Sequence, residues 1–219
     1  MRIIELKETV TASNDRDAET LRGELKQKGT LLINLMASPG AGKTTLLERT
    51  IHDLRDRMRI AVMEADVDSD VDAVRIERTG AKAVQAHTDG MCHMDAGMTR
   101  RALDALGEDP FDLVVLENVG NLICPAEFDT GAGRCVMLLS VPEGDDKPLK
   151  YPLMFTKSDV LIITKTDVAP YFDFDPDACI RRARKLNPDI TVFTVSAKTG
   201  DGFEEWEDWL IKAVADWKN

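Results

Sequence analysis

Residues 31–44, which read LLINLMASPGAGKT, decide the fold of this chain. The apolar run Leu31–Met36 predicts a buried strand, and the segment Thr45–Ile51 has the composition of a helix. Between them, glycines allow a tight loop whose backbone N–H groups can surround a phosphate, next to the positive end of the following helix. The pattern G-x-x-x-x-G-K-[ST] is typical of such loops, although Ala37 replaces its first glycine. A strand, a phosphate-binding loop and a helix are therefore expected. Gly42-Lys43-Thr44 after a buried strand disfavours the alternative, a glycine-rich turn formed by chance.

The residue types of this loop indicate how it would hold a nucleotide. Lys43 is expected to contact the β- and γ-phosphates, and the hydroxyl of Thr44 is expected to bind Mg²⁺. The predicted nucleotide contacts of the loop are Gly40, Ala41, Gly42, Lys43, Thr44 and Thr45. Phosphate binding does not identify the base, so the later loops decide which nucleotide is bound.

The composition describes a soluble globular protein. Of the 219 residues, 43% are apolar and 31% are charged, and we expect one domain over residues 1–219 with a helical lead-in over about residues 1–29. Lys and Arg number 28 against 39 Asp and Glu, and the net charge of −11 argues against nucleic acid as a partner. No apolar stretch reaches about 18 residues and the N-terminus has no secretory pattern, so no membrane span is expected. The four cysteines are too few for a disulfide scaffold, which indicates a cytoplasmic protein.

Strand-like and helix-like segments alternate along most of the chain. Apolar strand candidates lie near residues 31–36, 60–64, 112–117, 135–141, 159–164 and 191–195. Helix-like segments lie near residues 44–57, 71–79, 94–106, 176–186 and 203–216, and an earlier helix is expected from an N-cap at Asn14 to about Gly29. Runs such as Leu113–Leu116 suit strands that are buried on both faces of a parallel sheet. We therefore predict an α/β fold, a three-layer P-loop NTPase sandwich with a mostly parallel sheet and helices on both faces, whose ligands bind beyond the carboxyl ends of the strands.

Carboxylates follow the second strand candidate. The segment Ala65–Asp72 contains four aspartates and is expected to lie beside the phosphate site. Asp66 is the leading candidate for organising Mg²⁺ or the attacking water, since phosphoryl transfer needs only a few positioned carboxylates. The alternative is an acidic, solvated helix start, which the helix dipole also favours.

Glu117 ends the apolar strand candidate Asp112–Glu117 and is followed by Asn118-Val119-Gly120. A buried charge is unfavourable without a cation or hydrogen bonds, so this carboxylate suits a role in holding Mg²⁺ through water, beside a turn that senses the γ-phosphate. An ordinary strand-ending turn is the alternative. The predicted catalytic residues are thus Lys43, Asp66 and Glu117, and the predicted magnesium residues are Thr44, Asp66 and Glu117.

The segment Thr164–Asp167, which reads TKTD, follows another apolar strand candidate and indicates guanine recognition. A carboxylate there can accept hydrogen bonds from guanine N1 and N2, a donor pair that adenine lacks, while the lysine stem covers the ring. The tetrad resembles the N-K-x-D motif of GTPases, with Thr164 in place of Asn, as in signal-recognition-particle GTPases. Ser196-Ala197-Lys198, after the last strand candidate, resembles the S-A-K loop that supports guanine in the same families. The predicted base contacts are Lys165, Asp167, Ser196, Ala197 and Lys198, and the predicted nucleotide is GTP or GDP.

Two cysteines and a histidine form a further candidate site. Cys92 and His93 precede a helix candidate, and Cys124 lies just after the predicted phosphate-sensing turn. Two thiolates and an imidazole suit Zn²⁺ or Ni²⁺, although unpaired cysteines are commonly packing residues and an adjacent Cys-His is not a zinc-finger spacing. Three ligands leave a structural zinc site incomplete, so that water or a second subunit would complete it. Cys135 and Cys179, on an apolar strand and a helix, are expected in the core.

These segments resemble the HypB family, GTPases of the SIMIBI class of P-loop proteins that assist nickel insertion into nickel–iron hydrogenases. The resemblance extends over nearly the whole chain and rests on residues 38–47, 92–96, 117–129 and 143–152. It implies a GTP-dependent homodimer whose interface binds metal through Cys92, His93 and Cys124, with nickel as the delivered ion and zinc as a common occupant. It also implies a HypA-type metallochaperone and the hydrogenase large subunit as partners. The N-terminal cysteine motif and the histidine-rich tract of some family members do not occur in these 219 residues.

The short separation between Gly120 and Cys124 suggests that the nucleotide acts on the metal site. Bound GTP would order the loops at residues 65–72 and 118–133, the second of which carries Cys124. Hydrolysis would then shift a metal ligand.

Other functions are compatible with parts of the pattern. An accessory GTPase for another nickel enzyme, such as urease, is disfavoured by the arrangement Cys92-His93-Met94. A small-molecule kinase shares Gly-Lys-Thr, but the two guanine loops argue against it, and a regulatory nucleotide-binding module with negligible turnover is a third alternative. Lys147 and Lys150 are predicted near the partner subunit's nucleotide or the dimer interface, and a solvated basic pair is the alternative.

Overall fold

A computed structural model describes residues 6–66 and 71–219 of the chain. The strands are β1 (Leu31–Ala37), β2 (Ile60–Asp66), β3 (Lys82–His87), β4 (Leu113–Glu117), β5 (Arg134–Ser140), β6 (Val160–Thr164) and β7 (Thr191–Thr194). The α-helices are α1 (Leu6–Lys28), α2 (Lys43–Leu54), α3 (Val71–Glu77), α4 (Ala96–Leu106), α5 (Cys124–Glu127), α6 (Lys147–Lys150), α7 (Pro152–Lys157), α8 (Pro176–Leu186) and α9 (Phe203–Lys218). Short 3₁₀ helices, Val141–Glu143 and Thr166–Tyr171, follow β5 and β6. Within the described residues, none of the helices has the length and apolar character that a bilayer span requires.

The described strands form one parallel sheet in the order β3-β2-β4-β1-β5-β6-β7. β1 lies between β4 and β5, and all of its residues are buried, as a strand covered on both faces requires. Its side chains alternate between the faces: Ile33 packs in a cluster with α2 and α9, and Leu32 packs in a cluster with α1 and α4. The predicted α/β sandwich with a parallel sheet and helices on both faces is therefore confirmed.

One edge of the sheet carries the predicted functional loops. Because the described strands are parallel, the carboxyl ends of β1, β2, β4 and β6 lie at the same edge. The phosphate loop follows β1, Asp66 ends β2, Glu117 ends β4 and Thr164 ends β6. The site is thus assembled by strand register rather than by proximity along the chain.

The strand β3 is not predicted from the sequence. Its residues, KAVQAH, contain no long apolar run, and they are only half-buried or exposed because β3 lies at the edge of the sheet. Pairing with β2 along its whole length stabilises this strand, so tertiary contacts override a weak local pattern. The short helices α5, α6 and α7 also lie outside the predicted elements.

The predicted N-cap at Asn14 is wrong. Helix α1 begins at Leu6, so Asn14 lies inside the helix, where its side chain is buried. Its Nδ2 donates to the carbonyl of Asp129 and its Oδ1 accepts from the N–H of Ala96, both at 2.9 Å. Distant backbone groups therefore satisfy this amide, and they join α1 to the start of α4 and to the segment after α5. The predicted helix end is confirmed, since Gly29, with a φ of 67°, directly follows α1.

Candidate functional site

The phosphate cavity lies beyond the carboxyl end of β1 and measures about 520 Å³. Gly40 and Gly42 have φ angles of 75° and 101°, which favour residues without a Cβ atom, and α2 begins at the next residue, Lys43. The residues that line the cavity are Pro39, Gly40, Gly42, Lys43, Thr44, Thr45, Asp66, Asp72, Arg75, Glu117, Val119, Gly120 and Lys165. All predicted phosphate and magnesium residues except the buried Ala41 therefore line one cavity.

Thr44, Lys43 and Glu117 meet in this cavity. The Thr44 hydroxyl donates to Glu117 Oε1 at 3.0 Å, and Lys43 Nζ lies 3.8 Å from the same oxygen. The other oxygen, Glu117 Oε2, is buried, and among the described residues it has no N–H or alcohol hydroxyl donor. A hydroxyl and an unsatisfied carboxylate oxygen beside a phosphate cavity form the oxygen-rich donor set that Mg²⁺ prefers. The residues present therefore fit the predicted magnesium ion.

Glu64 is a residue of this site that the sequence analysis missed. Strand register places it directly opposite Glu117, and it is only 3% exposed. Burial, together with the negative charge of Glu117, raises the pKa of Glu64 to about 10, so Glu64 keeps its proton at neutral pH and can donate to Glu117. Burial raises the pKa of Glu117 as well, but the charge of Lys43 opposes this shift. The signal was present in the sequence, because Glu64, like Glu117, ends an apolar run.

Asp66 and Asp72 both line the phosphate cavity, from the end of β2 and from the first turn of α3. The other two aspartates of the predicted acidic segment, Asp68 and Asp70, lie outside the described residues. Asp72 accepts a hydrogen bond from Arg75 at 3.2 Å. Its position in the first turn of α3 agrees with the alternative interpretation of an acidic helix start.

Arg75 also lines the cavity, although the sequence analysis assigns it no role. Its guanidinium donates to both carboxylate oxygens of Glu48, at 3.1 and 2.6 Å, and lies 3.4 Å from Thr45 Oγ1. Because Glu48 and Thr45 belong to α2, Arg75 holds α3 against the helix that follows the phosphate loop. No local pattern predicts this contact, since its partners on α2 lie 27 and 30 residues away in the sequence.

A second cavity, of about 230 Å³, contains the predicted guanine residues. Lys165, Asp167, Ala197 and Lys198 line it, together with Gly42 and Thr45 of the phosphate loop region. Ser196 is fully buried, and its hydroxyl donates to Asp167 Oδ1 at 2.8 Å, which orients the carboxylate. The structure therefore brings the two loops that are predicted to bind guanine together, next to the phosphate loop.

Two hydrogen bonds join the TKTD segment to the phosphate loop. Thr164 Oγ1 donates to the carbonyl of Ala41 at 2.7 Å, and Lys165 Nζ donates to the carbonyl of Gly40 at 2.6 Å. Thr164 occupies the position of Asn in the N-K-x-D pattern, and its hydroxyl still reaches the phosphate loop. With Thr164 in place of Asn, the TKTD segment therefore remains hydrogen-bonded to the phosphate loop.

Cys92, His93 and Cys124 lie close together, on the segment before α4 and at the start of α5. Cys92 Sγ lies 3.8 Å from His93 Nδ1, and a hydrogen bond with Cys124 raises the pKa of the Cys92 thiol. Cys92 is exposed, whereas His93 is 7% exposed and stacks on Phe128 with ring centroids 3.9 Å apart. Among residues 6–66 and 71–219, no group of three or more His, Cys, Asp or Glu side chains is arranged to hold a metal ion. The thiols and the imidazole are thus neighbours that do not form a metal cage.

The other two cysteines have different surroundings. Burial raises the pKa of both Cys135 and Cys179 to about 12, and both pack against the apolar cluster around Phe155. Cys179 is a buried core residue, as expected from the sequence, and Cys135 is partly buried against the same cluster.

Lys147 and Lys150 both lie on α6 and interact within the chain. Lys147 Nζ lies 5.7 Å from the ring centroid of Tyr151, and Lys150 forms an ion pair with Asp146. A role for either lysine at a partner's nucleotide stays a prediction.

Known proteins resemble this chain over most of its length. A family profile described as CobW/HypB/UreG, nucleotide-binding domain, matches residues 31–194. The hydrogenase maturation factor HypB of Rhizobium leguminosarum bv. viciae is 46% identical over 98% of this chain and 72% of that protein. The hydrogenase/urease maturation factor HypB of Helicobacter pylori is 36% identical over 95% of this chain and 87% of that protein. The crystal structure of HypB from Helicobacter pylori in complex with nickel has a TM-score of 0.88 and 36% identity, over 93% of this chain and 96% of that one.

Proposed function

The chain belongs to the HypB family of hydrogenase maturation factors, and on this premise we propose that it is a GTPase that delivers nickel to the large subunit of a nickel–iron hydrogenase or licenses its insertion. The proposed reaction converts GTP and water to GDP and phosphate. The proposed assembly is a homodimer with a metal site at its interface, and a HypA-type metallochaperone is the proposed partner. Residues 1–219 would act as one GTPase domain in the cytoplasm, where GTP is supplied.

The observation that carries the choice of GTP is the hydrogen bond from Ser196 to Asp167, in a cavity beside the phosphate loop. A carboxylate held in this way can accept from N1 and N2 of guanine, whereas the unprotonated N1 of adenine would face it with a lone pair. The bonds from Thr164 and Lys165 to the phosphate loop support a fixed spacing between base and phosphates. A kinase that transfers phosphate to a small molecule would also need a second substrate site.

Four residues divide the work of hydrolysis in this proposal. Lys43 neutralises charge on the β- and γ-phosphates, and Asp66 orients the attacking water. Thr44 and Glu117, with Asp66, hold Mg²⁺, which supplies positive charge to the phosphates when bound. Burial raises the pKa of both Glu64 and Glu117, so that without a bound cation the pair favours one shared proton over two negative charges.

For the nickel site we propose Cys92, His93 and Cys124 as ligands, completed by a second subunit. Thiolates and a neutral imidazole suit nickel and zinc, and burial lowers the pKa of His93, which favours the neutral form. Met91 and Ile123, next to the two cysteines, are 44% and 55% exposed. Exposed apolar side chains beside an incomplete ligand set support contact with a second copy of the chain.

We also propose that the nucleotide gates the metal site. The turn after β4 is tightly packed on the phosphate loop, since a Cβ atom added to Gly120 would lie 3.0 Å from Pro39 Cγ. Val119 and Gly120 line the phosphate cavity, and Cys124 follows on the same segment. A γ-phosphate that changes this turn would therefore move a metal ligand.

Metal affinity and reaction products test this proposal together. The protein is titrated with Ni²⁺ in the presence of GDP and, separately, of a non-hydrolysable GTP analogue with Mg²⁺, while the mass of the assembly is measured. Different affinities in the two states, with free phosphate as the product from GTP, support a GTP-gated nickel carrier. Equal affinities contradict the gating, and phosphate transfer to an added small molecule would favour a kinase. A Lys43→Ala variant separates true hydrolysis from a contaminating activity.

A second nickel enzyme is a candidate client, because the Helicobacter pylori relative is named as a hydrogenase/urease maturation factor. Deleting the gene and assaying hydrogenase and urease in extracts distinguishes the two clients. Loss of hydrogenase activity that added nickel restores supports the proposed role. Loss confined to urease would support the alternative client.

A further inference from the structure

The side chain of Asn118 occupies a fully buried position directly after β4. Its Oδ1 accepts hydrogen bonds from two backbone N–H groups, that of Met94 at 3.2 Å and that of Val119 at 2.9 Å. Its Nδ2 donates to Oδ1 of Asn34, in the central strand β1, at 3.0 Å. One amide therefore joins the central strand, the turn after β4 and the segment that follows Cys92 and His93.

One of these partners faces the phosphates. Val119 lines the phosphate cavity, and the neighbouring Gly120 is packed on Pro39 of the phosphate loop. The N–H of Asn121 further anchors the turn by donating to the carbonyl of Ala37 at 2.8 Å. A γ-phosphate that changes the turn would thus move the N–H group of Val119. This group donates to the same oxygen of Asn118 as the N–H group of Met94.

The other partner adjoins the thiol cluster. Met94 is 1% exposed and directly follows Cys92 and His93. Asp95, the next residue, caps α4 by accepting from Met98 N, so the chain on the far side of Met94 is anchored. A shift of Met94 would therefore move the residues that precede it, His93 and Cys92.

We propose that Asn118 is a positioning residue that transmits the state of the phosphate site to the Cys92–His93 segment, an inference that rests on the proposed function. A buried N–H group needs an acceptor, and the oxygen of Asn118 serves Val119 and Met94 at once. The turn and the Met94 segment consequently move together, with the amide of Asn34 as the fixed point in the central strand. The coupling is carried by this hydrogen-bonded oxygen in addition to the covalent path from Gly120 to Cys124.

Asn118→Ala tests the inference through a ratio of metal affinities. Zn²⁺ and Ni²⁺ affinities are measured with GDP and with a non-hydrolysable GTP analogue, and the wild type is expected to show at least about a 5-fold difference between the two states. In Asn118→Ala the difference is expected to fall below about 2-fold, while metal and nucleotide each still bind. Asn187→Ala is the matched control, because Asn187 also bridges two elements, donating to the carbonyl of Ser158 at 2.8 Å, before the amino ends of β6 and β7 and thus at the sheet edge opposite both sites. It is expected to keep the wild-type ratio.

The possible outcomes separate the inference from the proposed function. A wild-type ratio in Asn118→Ala overturns the role of Asn118 and leaves the gating intact. A ratio of one in the wild type contradicts the gating itself, and the inference fails with it. A lost ratio in both asparagine variants also overturns the specific role of Asn118.

Hydrogen exchange in the wild-type protein provides a test that needs no variant. The amide proton of Met94 is expected to exchange at rates that differ by at least about 5-fold between the GDP state and the analogue state, because its acceptor shifts with the turn. The amide of Asp189, which donates to Oδ1 of Asn187 at 3.2 Å, is the control and is expected to stay unchanged. Equal Met94 rates in the two states overturn the inference.

Discussion

The nucleotide site and the thiol cluster differ in how completely the residues of a single chain form each site. In the nucleotide site, side-chain hydrogen bonds already connect residues that are 123 positions apart, as for Thr164 and Ala41, and 73 apart, as for Thr44 and Glu117. In the thiol cluster, Cys92 and Cys124 are neighbours, but the described residues form no metal cage and His93 is buried against Phe128. The nucleotide residues are attached to strand ends at one edge of a parallel sheet, whereas the thiols lie on segments beyond the strands.

This difference indicates that a substitution in one site can leave ligand binding at the other intact, although the bound nucleotide is proposed to change metal affinity. A substitution in the nucleotide site removes one side chain, while the strand ends still hold the remaining residues in place. A substitution in the thiol cluster removes a proposed ligand, and on the proposed function that site is completed only by a second subunit. Five variants, taken from the largest expected effect to the smallest, test whether the sites separate in this way.

Lys43→Ala is expected to have the largest effect, a loss of about 100-fold or more in the rate of GTP hydrolysis. The reason is that the other two cations that line the phosphate cavity, Arg75 and Lys165, bind Glu48 and the carbonyl of Gly40, whereas Lys43, which also lines it, has no such partner on the phosphate loop or α2 among the described residues. Phosphate release measures the rate, and thermal unfolding checks the fold. Zinc binding without nucleotide should match the wild type. A hydrolysis rate within about 2-fold of the wild type would falsify the catalytic role.

Asp167→Asn is expected to weaken GDP binding by about 10- to 100-fold, the range for losing hydrogen bonds to a charged group. Asn at this position cannot accept from both N1 and N2 of guanine, and the hydroxyl of Ser196 then holds an amide instead of a carboxylate. Calorimetric titration with GDP and with xanthosine diphosphate measures the change. Xanthine has a carbonyl where guanine has the amino group, so the variant should gain affinity for it. Unchanged GDP affinity would argue that the base binds elsewhere.

Cys92→Ala and Cys124→Ala are each expected to weaken Ni²⁺ or Zn²⁺ binding by at least about 10-fold, because each removes a strong thiolate ligand. GDP affinity should stay within about 2-fold of the wild type, since neither cysteine lines the nucleotide cavities. Cys135→Ala is the matched control, because that cysteine packs against the cluster around Phe155 and not beside Cys92 and Cys124. Metal bound per chain is measured after gel filtration. Wild-type stoichiometry in both variants would show that the thiols are not ligands.

Asn14→Ala is expected to have the smallest effect on function. It leaves the N–H of Ala96 and the carbonyl of Asp129 without their partner, which should lower the free energy of unfolding by about 1–3 kcal/mol. GTP hydrolysis should change by less than about 2-fold, because neither partner reaches the nucleotide site. Urea unfolding measures the stability, and Thr20→Ala, which removes an exposed hydroxyl on the same helix, is the control. A stable variant with impaired hydrolysis would mean that α1 acts on the site after all.

Much of the nucleotide site could be predicted from the sequence because its residues occur in short segments with a local cause. Gly40 and Gly42 adopt the positive φ angles that the glycine-rich pattern predicts, and the TKTD and S-A-K segments meet as expected for a guanine pocket. The role of Glu117 is predicted by the position of its charge at the end of an apolar run. The same reasoning could have found Glu64, which ends the run before it.

The residues that sequence reasoning missed depend on partners far along the chain. Arg75 is positioned by its contact with Glu48 on another helix. The side chain of Asn14 is positioned by two backbone groups, the carbonyl of Asp129 and the N–H of Ala96, that lie far along the chain. The edge strand β3 forms because β2 offers it a pairing partner, not because its own residues are apolar. In each case the local pattern is weak or points to another role, as with the N-cap expected at Asn14.

The sequence by itself predicted the phosphate loop, the TKTD and S-A-K segments, the apolar strands other than β3, and Cys92, His93 and Cys124 as candidate ligands. Each of these predictions depends on residue types within a few positions of one another. Only the tertiary structure decided that Glu64 faces Glu117, that Asn118 shares its oxygen between Val119 and Met94, and that His93 stacks on Phe128. These contacts arise from strand register and from the packing of loops beyond the sheet, which bring distant backbone groups and buried side chains into hydrogen-bonding range.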